Sequence, residues 1–329
     1  MIDSHAYLRK LNDQELGFRR GESRKAGRYV YISKKSLSYF PPLSSSILND
    51  HVYLNLIAPN SGKAVLSKYV YHNDKIVQNK TRDEFRIYLN TEIDPRGNFF
   101  RSDDILVFHR IGTEDDIYYK LYHFPAERKD SNYRILEGLL LRFKIERNGA
   151  HAIAPISKMP FINLVGMVGA EKKVVPPEII KDAFESPIQA PAEEEREPVT
   201  RLIRDTSFRS LVLFFYDYKC AITGTVIRHN DLINLQAAHI IPRHMGGGYN
   251  PSNGLALSQD LHWAFDKGFF TVDAGYRVQV HDVVIKIPAL RAIHDKQVRL
   301  PQDSRARPNV QSLKWHQENV FGIFLKSTR

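Results

Sequence analysis

Cysteine is almost absent: Cys220 is the single one in 329 residues. One thiol forms no internal disulfide and supplies no set of thiolates for a tetrahedral structural zinc. A chain stabilised without disulfides suits a reducing cytoplasm, which is where this one is expected to work. Long apolar runs are missing too. No stretch of about 18 apolar residues occurs and no charged-then-apolar leader opens the chain, so neither membrane insertion nor secretion is expected. There is no internal repeat. The first 172 residues contain no phosphate-cradling glycine loop and no nuclease pattern of paired carboxylates with a lysine, so catalysis is assigned to the other part. Acidic residues are in deficit, 37 against 47 basic ones, and the net charge of +10 favours a polyanionic partner.

What is present divides the chain in three. Residues 171–200 hold 8 acidic and 4 basic side chains, whereas the portions on either side are basic. This acidic piece contains Pro176-Pro177, Pro187, Ala190-Pro191-Ala192 and Glu193-Glu194-Glu195, a composition that resists packing. It predicts a linker over 173–200 between a β domain at 1–172 and a second domain at 201–329.

The first domain is expected to open with a short helix, followed by a basic run from Arg19 to Lys35. Segments rich in Val, Ile, Tyr and Phe follow: 29–32, 52–57, 68–71, 85–89, 105–110 and 118–124, separated by Pro, Gly, Asn and Asp. They predict a compact barrel-like β domain. In the second domain Phe208, Leu211, Val212 and Phe215 form one apolar helical stripe, predicting a helix over about 206–217. A hairpin is expected at 269–280, turning through Ala274-Gly275, and a closing helix at 315–325.

Between these elements lies the stretch that carries chemistry. His239 ends the apolar run Gln236-Ala237-Ala238-His239-Ile240-Ile241 and is followed by Pro242, which places it at the end of a short strand. Gly246-Gly247-Gly248 and Asn250-Pro251 predict a loop over 243–253. From Ser258 the apolar residues Leu257, Leu261, Ala264 and Phe265 recur at helical spacing, so His262 and Asp266, one turn apart, project from one face. Strand, loop and helix would set an imidazole base opposite a two-residue metal clip.

These residues resemble those of an HNH nuclease domain, the ββα-metal fold, in the subgroup whose strand reads Ala-Ala-His-Ile-Ile-Pro. The resemblance runs from about Tyr216 to His281 and extends weakly to Arg307-Pro308 and Leu313-Lys314-Trp315-His316. It implies that His239 is the general base, that Asn253 fixes the loop, and that His262 and Asp266 bind a divalent metal, Mg²⁺ or Mn²⁺ first among the options. Two departures stand out. The position before the base, often a metal-ligating Asp or His in the family, is Ala238, leaving the remaining coordination to Gln236, water or a DNA phosphate. The family's Cys-x-x-Cys zinc knuckles are also absent, with Thr223, Ser258 and Leu261 at partner positions, so packing is expected in place of structural zinc.

In the first domain, Arg86-Ile87-Tyr88-Leu89, the run Phe99-Phe100-Arg101-Ser102-Asp103-Asp104-Ile105-Leu106-Val107-Phe108, and Tyr118-Tyr119-Lys120-Leu121 resemble the DNA-reading pseudobarrel of EcoRII-type restriction enzymes and plant transcription factors. That resemblance implies two DNA-contacting arms, with Arg19, Arg20, Arg24 and Lys25 in one and Arg96, Asn98 and Arg101 in the other. Arg243 and His244 are further candidates for DNA contact beside the base. The expectation for the chain is an α+β protein in which a β domain selects double-stranded DNA and an HNH domain cuts it, as a restriction enzyme does. One such site cuts one strand, so a duplex break predicts a homodimer. Enzymes reading methylated bases, an inactive HNH-derived regulator and a nonspecific toxin-like nuclease are the alternatives.

Overall fold

The computed structural model describes residues 2–17, 27–112, 117–142, 149–162, 173–189, 198–229 and 232–326. These fall into two compact units, the first drawn from residues up to 162 with 173–179 and 198–207, the second from 180–189 and 208–326.

The first unit is a curled half-barrel sheet of eight strands: β1 (Ile2–Lys10), β2 (Tyr29–Ile32), β3 (His51–Ile57), β4 (Ala64–His72), β5 (Glu84–Tyr88), β6 (Ile105–Gly112), β7 (Ile117–Phe124) and β8 (His151–Pro155). Their spatial order is β2-β5-β4-β3-β7-β6-β1-β8, and every pairing is antiparallel except β3 with β7. The predicted barrel-like domain is thus present, with β2 and β8 as its edges. Strand periodicity explains its two cores. Tyr7, Leu106 and Phe108 point into an aromatic cluster with Tyr39, Phe40, Tyr69 and Tyr119, while their neighbours Ala6, Leu8, Ile105 and Val107 pack on the opposite face against Tyr133, Leu136 and Leu140. Those last three come from α2 (Ser131–Leu141), whose N-cap Asp130 accepts the Tyr133 amide at 2.9 Å. A short helix, α1 (Asp74–Gln78), interrupts the run from β4 to β5.

The expected opening helix is not formed. Ile2–Lys10 is a strand paired on both sides, with β6 and β8, because adjacent residues 6, 7 and 8 are all fully buried on alternating faces, a requirement that one helix stripe does not meet.

Within the acidic segment, α3 (Pro177–Glu185) is helical, and residues 187–189 run beside the glycine loop: Gly248 donates to the Ile188 carbonyl at 2.7 Å, and Gln189 bridges Gly247. The helix α4 (Pro198–Phe215) starts earlier than the apolar stripe alone predicts. Its first half serves the first unit, through buried Ile203, the Arg204–Asp50 ion pair and the Ser207 hydroxyl, which donates to the Tyr53 carbonyl.

From Phe208 onward the chain builds the second unit. After the two-residue strands β9 (Arg228–His229) and β10 (Leu232–Ile233) come β11 (Leu235–His239) and β12 (Gly254–Ser258), paired in antiparallel register. Then follow α5 (Gln259–Asp266), the hairpin β13 (Phe270–Val272) with β14 (Val278–Val280), α6 (Pro288–Arg291) and α7 (Val310–Asn319). The core holds Leu235, Ala238, Leu255, Leu257, Phe265, Phe270 and Leu313. Packing, expected in place of zinc, draws on Phe265 and Phe270, which are fully buried, whereas Trp263 is 56% exposed. The closing helix lies earlier than 315–325: Asn309 caps it by accepting the Ser312 amide, and Gly322, at φ +76°, ends the helical path.

Candidate active site

His239 stands at the end of β11, opposite Gly254 of β12. A Cβ on Gly254 would lie 2.5 Å from Val212 and 2.8 Å from the Phe208 ring, so glycine is what lets α4 lie against the strand pair. Phe208 uses that space to stack on the His239 imidazole, with centroids 3.9 Å apart and planes 15° apart. Tyr249 meets the same imidazole edge-on, and the Arg243 guanidinium lies 4.1 Å above the Tyr249 ring. Two rings therefore fix the plane of His239. Its Nε2 is buried and has no hydrogen-bond partner in the protein. Burial pushes the His239 pKa down to about 3, helped by Arg243 and His262, so the ring is neutral at neutral pH.

Asn253 is wholly buried and ties the loop to the strand end. Its side-chain oxygen accepts the Ile241 amide at 3.0 Å, and its amide nitrogen donates to the carbonyls of Ile241 and Gly248 at 3.1 and 3.2 Å. The backbone amide of Ile240 donates to the Asn253 carbonyl at 2.9 Å. Nearby, a Cβ on Gly247 would lie 1.7 Å from the Ile241 carbonyl oxygen, which makes a side chain there impossible without moving the backbone. Asn253 acts as a brace and does not line the cleft.

On α5 the buried stripe is Leu261, Ala264 and Phe265, which turns His262 and Asp266 outward. His262 Nδ1 faces Gln236 Oε1 at 2.5 Å, so Nδ1–H donates and Nε2 is left free toward Asp266, whose Oδ2 is 3.3 Å away. Two donor atoms at that separation can both sit about 2.1 Å from one cation, and an imidazole with a carboxylate suits a first-row or Mg²⁺-like ion. Gln236 thus orients the His262 ring, as an outer-shell partner would if His262 held a metal. Ala238 is fully buried in the core. Among the described residues no group of three or more His, Cys, Asp or Glu is placed to hold a metal, so water and phosphate would complete the coordination. Burial raises the Asp266 carboxyl above its ordinary range, and His262, Lys267 and His244 pull it partly back.

His239, His262 and Asp266 line one cleft of about 420 Å³ together with Arg243, exposed His244 and Lys267. His316 of α7 also lines the cleft, which no spacing in the sequence indicates, although Trp315-His316 lies within the extended resemblance. Phe208 and Tyr249 were missed as well, since ring stacking leaves no spacing signal.

In the first unit Arg96, Asn98 and Arg101 do come together. They line a cleft of about 1040 Å³ with Lys120, Tyr122, Phe124 and Arg128. Asp94 holds the loop that carries them: it accepts the Phe99 amide at 2.9 Å and pairs with buried Arg28, which also donates to the Leu16 and Phe100 carbonyls. Arg19, Arg20, Arg24 and Lys25 lie outside the described residues.

Residues 220–273 match a family model described as HNH endonuclease, so the second unit carries an HNH domain. Among solved structures, the chain is similar to a modification-dependent TagI restriction endonuclease at 23% identity and a TM-score of 0.29, over 35% of this chain and 37% of that one. No curated protein matches the chain. No helix among the described residues is long and apolar enough to cross a membrane.

Proposed function

We propose that the protein is a metal-dependent DNA endonuclease of the restriction type, with His239 as general base and His262 and Asp266 as the protein's ligands to Mg²⁺ or Mn²⁺. The observation that carries this reading is the shared cleft: a neutral imidazole, clamped between two rings, faces the same space as a histidine and a carboxylate whose donor atoms are 3.3 Å apart.

Hydrolysis of a phosphodiester needs a deprotonated water, charge neutralisation on the phosphate and relief at the departing 3′ oxygen. His239 takes the water's proton, and its ring enters the reaction uncharged because burial has suppressed its basicity. An incoming phosphate anion raises that basicity where it is needed. Arg243 and Lys267 offer positive charge to the phosphate from the cleft wall, and exposed His244 contacts the DNA backbone. Asn253 keeps the turn after His239 in place, and Gln236 keeps His262 Nε2 directed to the cation. A divalent ion held by His262 and Asp266 would, when bound, supply Lewis-acid stabilisation of the phosphate and the leaving oxygen.

Target selection is assigned to the first unit, whose cleft offers Arg96, Arg101, Lys120 and Arg128 to a phosphate backbone, and Asn98 and the arginines to base edges. With one nicking site per chain, a duplex break calls for two copies. Supercoiled plasmid incubated with the protein and Mg²⁺ or Mn²⁺ tests the proposal, on methylated and unmethylated DNA side by side. Discrete nicked, linear and fragment species that vanish with His239→Ala are expected. Intact plasmid under every ion, or a smear of short fragments, would overturn the restriction-type reading.

A further inference from the structure

His316 lies beyond the stretch that matches the HNH family, yet it reaches the helix that carries His262 and Asp266. Its side chain is fully buried and stacks on Phe265 with centroids 3.8 Å apart and planes 6° apart. Nδ1 is 2.9 Å from Thr271 Oγ1 and Nε2 is 3.3 Å from the Phe265 carbonyl oxygen. A carbonyl only accepts, so Nε2 carries the ring proton and donates it, and Nδ1 accepts from the threonine hydroxyl. Both ring nitrogens are thus satisfied, which is the condition for burying a histidine without a large desolvation cost.

The carbonyl it meets belongs to the residue before Asp266, in the last turn of α5, where a helix leaves carbonyls without intrahelical partners. The Gly268 amide also donates to that carbonyl, at 2.9 Å, but this bond is local to the turn. His316 and Thr271 instead tie the turn to α7 and β13. Asp266 is half exposed, and among the described residues its side chain is tethered to His262 alone, so its placement follows from the backbone of this turn.

We propose that His316 is a positioning residue of the active site: by clamping the Phe265 ring and carbonyl it fixes Asp266 opposite His262, and so sets the affinity for the divalent cation. This rests on the reading of His262 and Asp266 as the metal-holding pair. A histidine serving stability alone would leave the metal affinity of the folded protein unchanged, and that difference is measurable.

The test is Mn²⁺ binding to the full chain without DNA, by calorimetry or by the electron paramagnetic resonance of free Mn²⁺, alongside thermal melts. His316→Leu should weaken Mn²⁺ binding by about 10-fold or more, the range seen when outer-shell partners are removed. Thr271→Val should weaken it less, and His316→Gln, whose amide can both donate to the carbonyl and accept from the hydroxyl, should retain most of it. Because the effect passes through Asp266, adding His316→Leu to Asp266→Ala should cost no further affinity. Wild-type affinity in folded His316→Leu, with only the melting temperature lowered, would overturn the clamp. If His316→Leu does not fold, wild-type affinity in Thr271→Val overturns it instead. A wild-type protein that binds no Mn²⁺ through His262 and Asp266 would remove the site reading itself, and the clamp with it.

Discussion

The two units solve the problem of placing polar groups in opposite ways. In the second unit the candidate catalytic side chains sit on short regular elements between residues 239 and 266: His239 on β11, His262 and Asp266 one turn apart on α5, and Asn253 between them. In the first, the charged cleft draws its lining from positions as distant as Pro59, Arg96, Lys120 and Phe161, set on loops and on β7 of a wide sheet. Chemistry tolerates little displacement and is built on rigid local frames, whereas a DNA-facing surface can be assembled from scattered residues. Breaking one unit should therefore leave the other's property measurable.

The largest effect is expected from His239→Ala, which should slow cleavage by at least about 10²-fold, the contribution typical of a positioned base. DNA affinity, read by fluorescence anisotropy, should stay within a few-fold of wild type. A comparable loss of affinity would mean that binding and chemistry share one surface.

Asp94→Ala strikes the other unit. It leaves the Arg28 guanidinium buried without its carboxylate and frees the loop that bears Arg96, Asn98 and Arg101. A cost of about 3–5 kcal/mol in the stability of the first unit is expected, seen by circular dichroism, with weakened DNA binding. Mn²⁺ affinity should not change.

Acid sharpens the contrast without mutation. Burial holds His239 and His316 in the second unit at about 3 and His72 in the first at about 4. Each stays neutral when folded but takes a proton near pH 6.5 when unfolded, so the stability it contributes is complete above that pH and is lost as pH falls toward the folded value. Two such histidines lie in the second unit and one in the first, so between roughly pH 6 and 4 the metal-free second unit should weaken more steeply than the first, with the raised carboxyls of Asp266 and Glu15, one in each unit, opposing the trend. Both tryptophans, Trp263 and Trp315, belong to the second unit, so urea midpoints from tryptophan fluorescence report it alone. Equal slopes by fluorescence and by circular dichroism would contradict this.

The smallest effect is expected from Lys120→Ala. DNA binding should weaken by a few-fold, uniformly over sequences, and the slope of log affinity against log salt should fall by about one, as for a single phosphate contact. An unchanged slope would exclude Lys120 from the interface.

Legibility in the sequence followed the same divide. The one-turn spacing of His262 and Asp266 and the strand end at His239 are legible because helical and strand periods fix them within a few residues, whereas Asn253 as the residue that fixes the loop is what the resemblance implies. The half-barrel is legible in its β-rich segments, but strand β1, next to the edge strand β8, is not, because its alternating buried faces only make sense once β6 and β8 flank it. Spacing leaves Gln236 open as a possible metal ligand, and in the fold its side chain faces His262 Nδ1, a distinction of a few ångströms that spacing does not encode. His316, 50 residues beyond Asp266, enters the site through packing alone. Nothing in its local pattern distinguishes a clamp from an ordinary core residue.

The pairing of His262 with Asp266 around a cation is tested most directly by anomalous diffraction from crystals of the protein grown with Mn²⁺ and DNA. A single peak within about 2.2 Å of both His262 Nε2 and Asp266 Oδ2, with a phosphate oxygen on it and His239 on the phosphate's far side, is the expected result. A peak held by other residues, or a scissile phosphate bound away from His239, would contradict it.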